Sequence, residues 1–309
     1  MQEIKDIIQY SNHNEMDIIV YSSAIDRAGY NTFCNKIPKQ RKKKLLLVLS
    51  TFGGDPDAGF RIARAAAHYY GNENFFILVP GYCKSAGTLV CIGASKLIMM
   101  DRSELGPLDV QVQKNDEIYQ LNSGLDIIRG MFYLQNDALN SFKRFLFDLN
   151  SNGGIRTRTA AKISCKLVTG LYAPLIGQID PIKLGEMNAA LQIASEYGKR
   201  LDEKSKSLRK DALNSLIHNY PSHGFVIDRA EARKLFKHVN KANVVEEQLG
   251  NFVYTEWSKD MRARQIYNFT ERYNENERTD VNDPNQNVST DRKTVDGTTT
   301  GTSGKPQQE

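Results

Sequence analysis

Residues 45–49, "LLLVL", are apolar at every position, and this run constrains the fold more than any other feature of the chain. A strand with one wet face alternates apolar and polar residues. A strand covered on both faces does not, and such strands belong to the interior of parallel sheets. The signal returns in "NFFILVPGY" and "KLIMMD", and "MDIIVYSSAI" at residues 16–25 reads as a strand ahead of them. Helical segments lie between. "DPDAGFRIARAAAHYYG" carries its own punctuation: Asp55 as N-cap, Pro56 at the first helical position and Gly71 closing the helix. "KSAGTLVCIGAS" is a short, nearly all-apolar helix, and "GPLDVQV" leads to a fifth strand. This β-α-β-α-β order predicts an α/β fold with a mostly parallel sheet and right-handed crossovers.

A long amphipathic helix follows, with Ile128, Met131, Phe132, Leu139, Phe142, Phe145, Leu146 and Leu149 on one stripe, and "NSNGG" breaks it. Another helix is expected over about 158–170. A longer, charged one is expected over about 182–217, with Leu184, Met187, Leu191, Ala194, Leu201 and Leu208 at near-heptad spacing, the pattern of an arm packing on a neighbour. "FVIDRAEARKLF" reads as a strand stub, an Asp228 N-cap and a helix. Beyond residue 275 three valines, Val281, Val288 and Val295, are the only sizeable apolar residues. The reading is one domain over 1–274, with a helical insertion at about 125–217, and a disordered tail over 275–309.

Composition bounds the function classes. With 40% apolar and 25% charged residues among 309, the chain is of the soluble globular type, and its net charge of +5 is mild. Much of that charge could come from "KIPKQRKKK", expected to be a solvated loop or helix end. A contact to nucleic acid or an acidic partner is the alternative reading of that cluster. Cys34, Cys83, Cys91 and Cys165 show no CxxC pairing and no histidine at zinc-ligand spacing, so they read as small apolar core residues of a reducing compartment. The amino terminus is polar and of mixed charge, unlike a signal peptide, and no apolar run approaches the roughly 20 residues that span a bilayer. The expectation is a cytoplasmic protein with no membrane, metal or cofactor requirement.

Two features fall at one edge of the expected sheet. Gly53 and Gly54 end the second strand, where paired glycines let the backbone turn tightly and present bare N–H groups. Ser85 lies just beyond the third strand, at the amino end of its helix, where free N–H groups are found. If the strands are neighbours, the amides of Gly53, Gly54 and Ala86 converge near the Ser85 hydroxyl as an oxyanion hole. On spacing alone, a serine at a helix start is ordinarily a cap. "CKSAG" is also not the G-x-S-x-G elbow, and the chain has no P-loop, HExxH or GxGxxG.

The order of these pieces narrows the choice. "LLLVLSTFGGDPDAGFRIARAAAHYY" followed by "VPGYCKSAGTLVCIGASKLIMMDRSELGPLDVQV" resembles the Clp-protease/crotonase superfold, and more closely the serine dehydrogenase proteinase group, related to signal peptide peptidase A and the ClpP peptidase. "YPSHGFVIDRAEARKLF" resembles the closing strand-helix piece of those folds. The resemblance covers about 130 residues and leaves out the middle helices and the tail. It implies a repeated β-β-α spiral and a serine peptidase working on a polypeptide substrate through an acyl-enzyme. It also implies Ser85 as nucleophile, oxyanion amides from Gly53, Gly54 and Ala86, and a homo-oligomer. Whether a regulatory or unfoldase partner feeds such an enzyme is left open.

The chain departs from the ClpP pattern in its base. No histidine occurs between His68 and His218, so the usual triad order is absent. His223 lies close to where ClpP-like enzymes carry the triad aspartate, and an imidazole has the right range for a base near neutral pH. A lysine is the other option, as in signal peptide peptidase A. Lys166 and Lys143 sit among apolar neighbours on expected helices, and a desolvated lysine can lose its proton. Lys84 adjoins Ser85 but should point away from it. Asp109 and Asp180 could orient a base, and His68 reads as a helix-surface residue. An inactive scaffold and a crotonase-type acyl-CoA enzyme are the competing classes.

Overall fold

The all-apolar run at residues 45–49 does divide its side chains between two cores. The computed structural model of the chain describes residues 2–108, 111–113 and 121–273, with 111–113 and 121–128 as backbone only. Leu45, Leu47 and Leu49 join Ile19, Tyr21 and Ile77 in one core, while Leu46 and Val48 join Ile18, Val20 and Leu78 in another. All are fully buried. Each such side chain contributes about 1.5–3 kcal/mol, so both faces need covering, and helices cover them.

In chain order the elements are α1 (Gln2–His13), β1 (Met16–Ser22), α2 (Arg27–Asn35), β2 (Lys44–Ser50), α3 (Pro56–Tyr70), β3 (Phe75–Val79), β4 (Tyr82–Cys83), α4 (Ala86–Ile92), β5 (Lys96–Met99), β6 (Glu104–Leu105), β7 (Gln111–Gln113) and β8 (Leu121–Ser123). There follow α5 (Gly124–Phe147), α6 (Thr157–Ile176), α7 (Pro181–Ser205), α8 (Ala212–Asn214), α9 (Arg229–Leu235), β9 (Val239–Lys241), α10 (Val244–Lys259) and β10 (Gln265–Asn268). The main sheet runs β10-β1-β2-β3-β5-β9 and is parallel except for β10, which is antiparallel to β1. α3 and α4 cover one face; α1 and α10 pack on the other through Ile7, Leu249 and Val253.

A second, smaller layer leaves the end of this sheet. β4 pairs in parallel with β6, and Leu105 of β6 bridges antiparallel to Ile227. β4 is stitched to the end of β2 by Thr51 N–H to Tyr82 O (2.8 Å) and Lys84 N–H to Thr51 O (3.0 Å). The expected fifth strand is not part of the main sheet: β7 pairs with β8 in a separate antiparallel hairpin. The main sheet instead gains β9 and β10, short strands of mixed polarity.

The helix punctuation matches the sequence. Asp55 accepts from Asp57 N–H, Pro56 opens α3, and Gly71 ends it at φ 84°. Asp228 caps α9 by accepting from Glu231 N–H. The helix expected over 182–217 stops at Ser205. Lys206 turns left-handed (φ 50°), the Asp202 carboxylate takes the Leu208 N–H (2.7 Å), and Ser205 and Ser207 both donate to Ile92 O. Leu208 is buried through its bridge to Phe236, not through a helical stripe. α7 packs on α3, α4 and α5 of its own chain, and Leu191 and Leu201 enter the core there. α6 runs on to Ile176 through Pro174, past the expected end. Cys83 and Cys91 are core residues as expected, but Cys165 is exposed; all four cysteines are free thiols. The expected tail over 275–309 lies outside the described residues.

Where α4 meets the β2–β4 junction the packing leaves no room. A Cβ on Gly87 would lie 2.6 Å from Thr51 Cγ2 and 2.8 Å from Cys83 Sγ. Gly87→Ala should therefore lower the unfolding free energy by about 1–3 kcal/mol. Urea denaturation followed by the fluorescence of Trp257, the single tryptophan, measures it; an unchanged midpoint would show that the junction has slack.

Candidate active site

The chain must reverse sharply between β4 and α4, and it does so at Ser85. Lys84 O accepts from Gly87 N–H (2.8 Å), closing a four-residue turn with Ser85 at its first central position. Ser85 has φ 49° and ψ −114°, the values of a type II′ turn, where glycine is the usual occupant. A residue with a Cβ held at such a positive φ costs about 1–3 kcal/mol. The cost is not recovered by capping: the Ser85 side chain makes no cap hydrogen bond to α4. From Cys83 to Ile92 every residue is buried except Ser85, which is half-buried and so can be reached from outside.

The glycine loop after β2 lies against this turn. A Cβ on Gly53 would stand 2.8 Å from Ser85 Cβ and 3.4 Å from its Oγ, and Gly53 has φ 107°. Gly54, at φ 142°, has no space either, since its Cβ would meet Ile25 O at 2.1 Å. The three expected oxyanion amides are not equivalent. Gly53 N–H donates to Thr51 Oγ1 (3.0 Å) and is engaged within its own loop. Among the described residues, neither Gly54 N–H nor Ala86 N–H donates to any partner. Gly54 and Ala86 thus keep their N–H groups unengaged, while Gly53 is the glycine that lies against Ser85. The sequence reading missed Thr51, whose hydroxyl occupies the Gly53 amide.

The neighbours of Ser85 are turned away from it. Cys83, two residues earlier, is fully buried with its Sγ 3.7 Å from Cys91 Sγ, and burial pushes its thiol well above the ordinary range. It is no nucleophile. The Lys84 ammonium points into the small layer, 2.8 Å from Glu104 Oε2, 3.2 Å from Leu105 O and 3.3 Å from Phe225 O.

His223 and Lys166 are placed very differently. Ile227 bridges Leu105, and Leu105 pairs with Cys83 of β4, so the chain joins the small layer four residues after His223. His223 is half-buried, and its Nδ1 is shielded from solvent. Lys166 is exposed on α6, a helix that packs on α5. Lys143 on α5 and His68 on α3 are exposed as well. Asp180 caps α7, accepting from Ile182 and Lys183 N–H. Asp109 lies outside the described residues.

No protein-family model matches the chain. An uncharacterized protein of Methanocaldococcus jannaschii is 35% identical over 72 residues, 23% of this chain. The match spans 24% of that relative's length, so the chain aligns with about a quarter of it. Among solved structures, a mutant of the 1510-N membrane-bound stomatin-specific protease aligns at TM-score 0.29 and 17% identity, covering 48% of this chain and 67% of that one. Among the described residues, no helix is long and apolar enough to cross a membrane.

The turn yields a stability test that needs no substrate. Ser85→Gly should be more stable than Ser85→Ala by about 1 kcal/mol, because glycine relieves the positive φ while alanine keeps it. Paired urea denaturation curves measure the difference, and equal stabilities would mean that Ser85 is unstrained.

Proposed function

We propose that the chain is a serine hydrolase of the peptidase type, with Ser85 as nucleophile. The observation that carries this reading is the Ser85 backbone. The residue is held at a disfavoured positive φ on a sharp strand-to-helix turn, is reachable from outside, and makes no cap hydrogen bond. A scaffold or a crotonase-type enzyme has no use for a strained serine there, whereas a nucleophile gains exposure and aim from it.

In this mechanism the base takes the Ser85 hydroxyl proton as Oγ adds to the scissile carbonyl carbon. The carbonyl oxygen becomes an oxyanion facing Gly54 and Ala86 N–H, each donor worth about 3 kcal/mol of transition-state stabilisation. Collapse expels the amine, which takes the proton from the base, and leaves an acyl-enzyme that water then hydrolyses with the same base. We assign the base to His223. Its segment is tied to the layer that bears Ser85 at Phe225 O and Ile227, while exposed Lys166 lacks the burial that a lysine base needs. The parallel sheet with a small second layer at its edge fits a Clp-protease/crotonase layout. The Gly-Gly, Ser-Ala-Gly and "LGPLD" order supports the serine dehydrogenase proteinase group within it.

Fluorophosphonate labelling of the purified protein tests the assignment. Wild type should label and Ser85→Ala should not. His223→Ala should slow labelling by about 100-fold or more, and Lys166→Ala should label at the wild-type rate. Turnover of an unstructured polypeptide such as casein should follow the same order. Labelling that persists in Ser85→Ala, or that His223→Ala leaves unchanged, would overturn the corresponding role.

A further inference from the structure

The segment bearing His223 has little packing to hold it. Pro221, Ser222, Gly224, Phe225 and Val226 are all exposed, and within the segment Phe225 N–H bonds to Ser222 O (3.1 Å) to make a local turn. A base must nonetheless be fixed to within a fraction of an ångström of its working position. Two cations take hold of this segment by its carbonyls. Arg129 of α5 donates from Nη1 to Pro221 O (2.9 Å) and from Nη2 to His218 O (3.0 Å) and Tyr220 O (2.6 Å). Lys84 donates from Nζ to Phe225 O (3.3 Å). The gripped carbonyls of Pro221 and Phe225 lie two residues before and two residues after His223.

We propose that Lys84 and Arg129 are positioning residues, a two-cation clamp that fixes the His223 segment relative to Ser85. The inference rests on the Ser85–His223 reading above. Charge-assisted hydrogen bonds are shorter and stronger than neutral ones, so two cations can hold a segment that the core does not. Lys84 suits the task because it is bonded to Ser85 itself: its backbone belongs to the nucleophile turn and its ammonium grips the base segment. Its seat is closely fitted. A Cβ on Gly106 would lie 2.7 Å from Lys84 Cδ, and Glu104 anchors the ammonium at 2.8 Å while it reaches Phe225.

Saturation kinetics of fluorophosphonate labelling, with hydrogen–deuterium exchange over residues 218–227, test the clamp. Arg129→Gln and Lys84→Met should each lower the limiting labelling rate by about 10- to 100-fold. The half-saturating probe concentration should not change, and exchange should accelerate within 218–227. Arg129→Lys, which keeps the charge, should recover most of the loss. Because Lys84→Met leaves Glu104 without its cation, Lys84→Met/Glu104→Gln supplies a second variant lacking the clamp, with the same loss expected. Wild-type limiting rates in Arg129→Gln and in the double variant would overturn the clamp and leave the Ser85–His223 reading intact. So would accelerated exchange without slower labelling. A wild type that never labels would instead remove the Ser85–His223 reading, and the positioning role with it.

Discussion

The end of β2 and the start of β4 exchange two backbone hydrogen bonds, Thr51 N–H to Tyr82 O and Lys84 N–H to Thr51 O, and everything at the candidate site is positioned from that junction. It brings the loop of Gly53 and Gly54 onto the turn of Ser85, because both leave the same pair of bonded segments within two or three residues. It fixes Thr51 so that the hydroxyl occupies the Gly53 amide while the methyl group stands where a Gly87 side chain would be. It also sets the direction of β4, and hence of β6 and the Ile227 bridge that leads to His223. The small layer is thus an outgrowth of the main sheet, registered by one residue, Thr51, that the sequence does not distinguish from any other strand-end threonine.

Strain and close packing are concentrated at this same place. Ser85 carries a turn conformation suited to glycine, while Gly53, Gly54 and Gly87 each occupy a position where a Cβ would collide. The buried cores on either side of the sheet supply the stability that such a site requires. Fully buried aliphatic residues line both faces of β1, β2 and β3, and α3 packs so closely on α4 that a Cβ on Gly59 would lie 3.1 Å from Ala86 O. A rigid surround of this kind can impose an unfavourable φ on one residue, and a soft one would relax it.

What could be read from the sequence was local. The apolar runs of β1, β2, β3 and β5 carry their own signal, and so do Asp55-Pro56, Gly71 and Asp228, because strand burial and capping act over a few residues. What could not be read depends on partners far along the chain. β9 and β10 are three or four residues long and of mixed polarity, and only pairing with β5 and β1 makes them strands. The heptad through Leu201 and Leu208 suggests a continuing helix, yet the Asp202 carboxylate and the Ile92 carbonyl end it at Ser205. At the site, the position of Ser85 after an apolar run was visible, but its φ was not. Nor was the loss of the Gly53 amide to Thr51, since a glycine pair looks the same whichever amide is free.

Lys84 shows how such non-local partners give a residue its meaning. In sequence it is a cation beside a serine, with a side chain that should point away from that serine and no partner in view. In a parallel β4–β6 pair, however, Tyr82 stands opposite Glu104, so an ammonium at residue 84 meets that carboxylate across the layer. A largely buried ion pair adds little net stability, because desolvating both charges offsets most of their attraction. What it does provide is register: the ammonium is satisfied only when Glu104, Leu105 O and Phe225 O arrive together, from two segments more than a hundred residues apart in the chain. A hydrophobic residue at position 84 would accept many arrangements of those segments. A lysine selects the one in which Phe225 O, two residues after His223, reaches the β4–β6 layer.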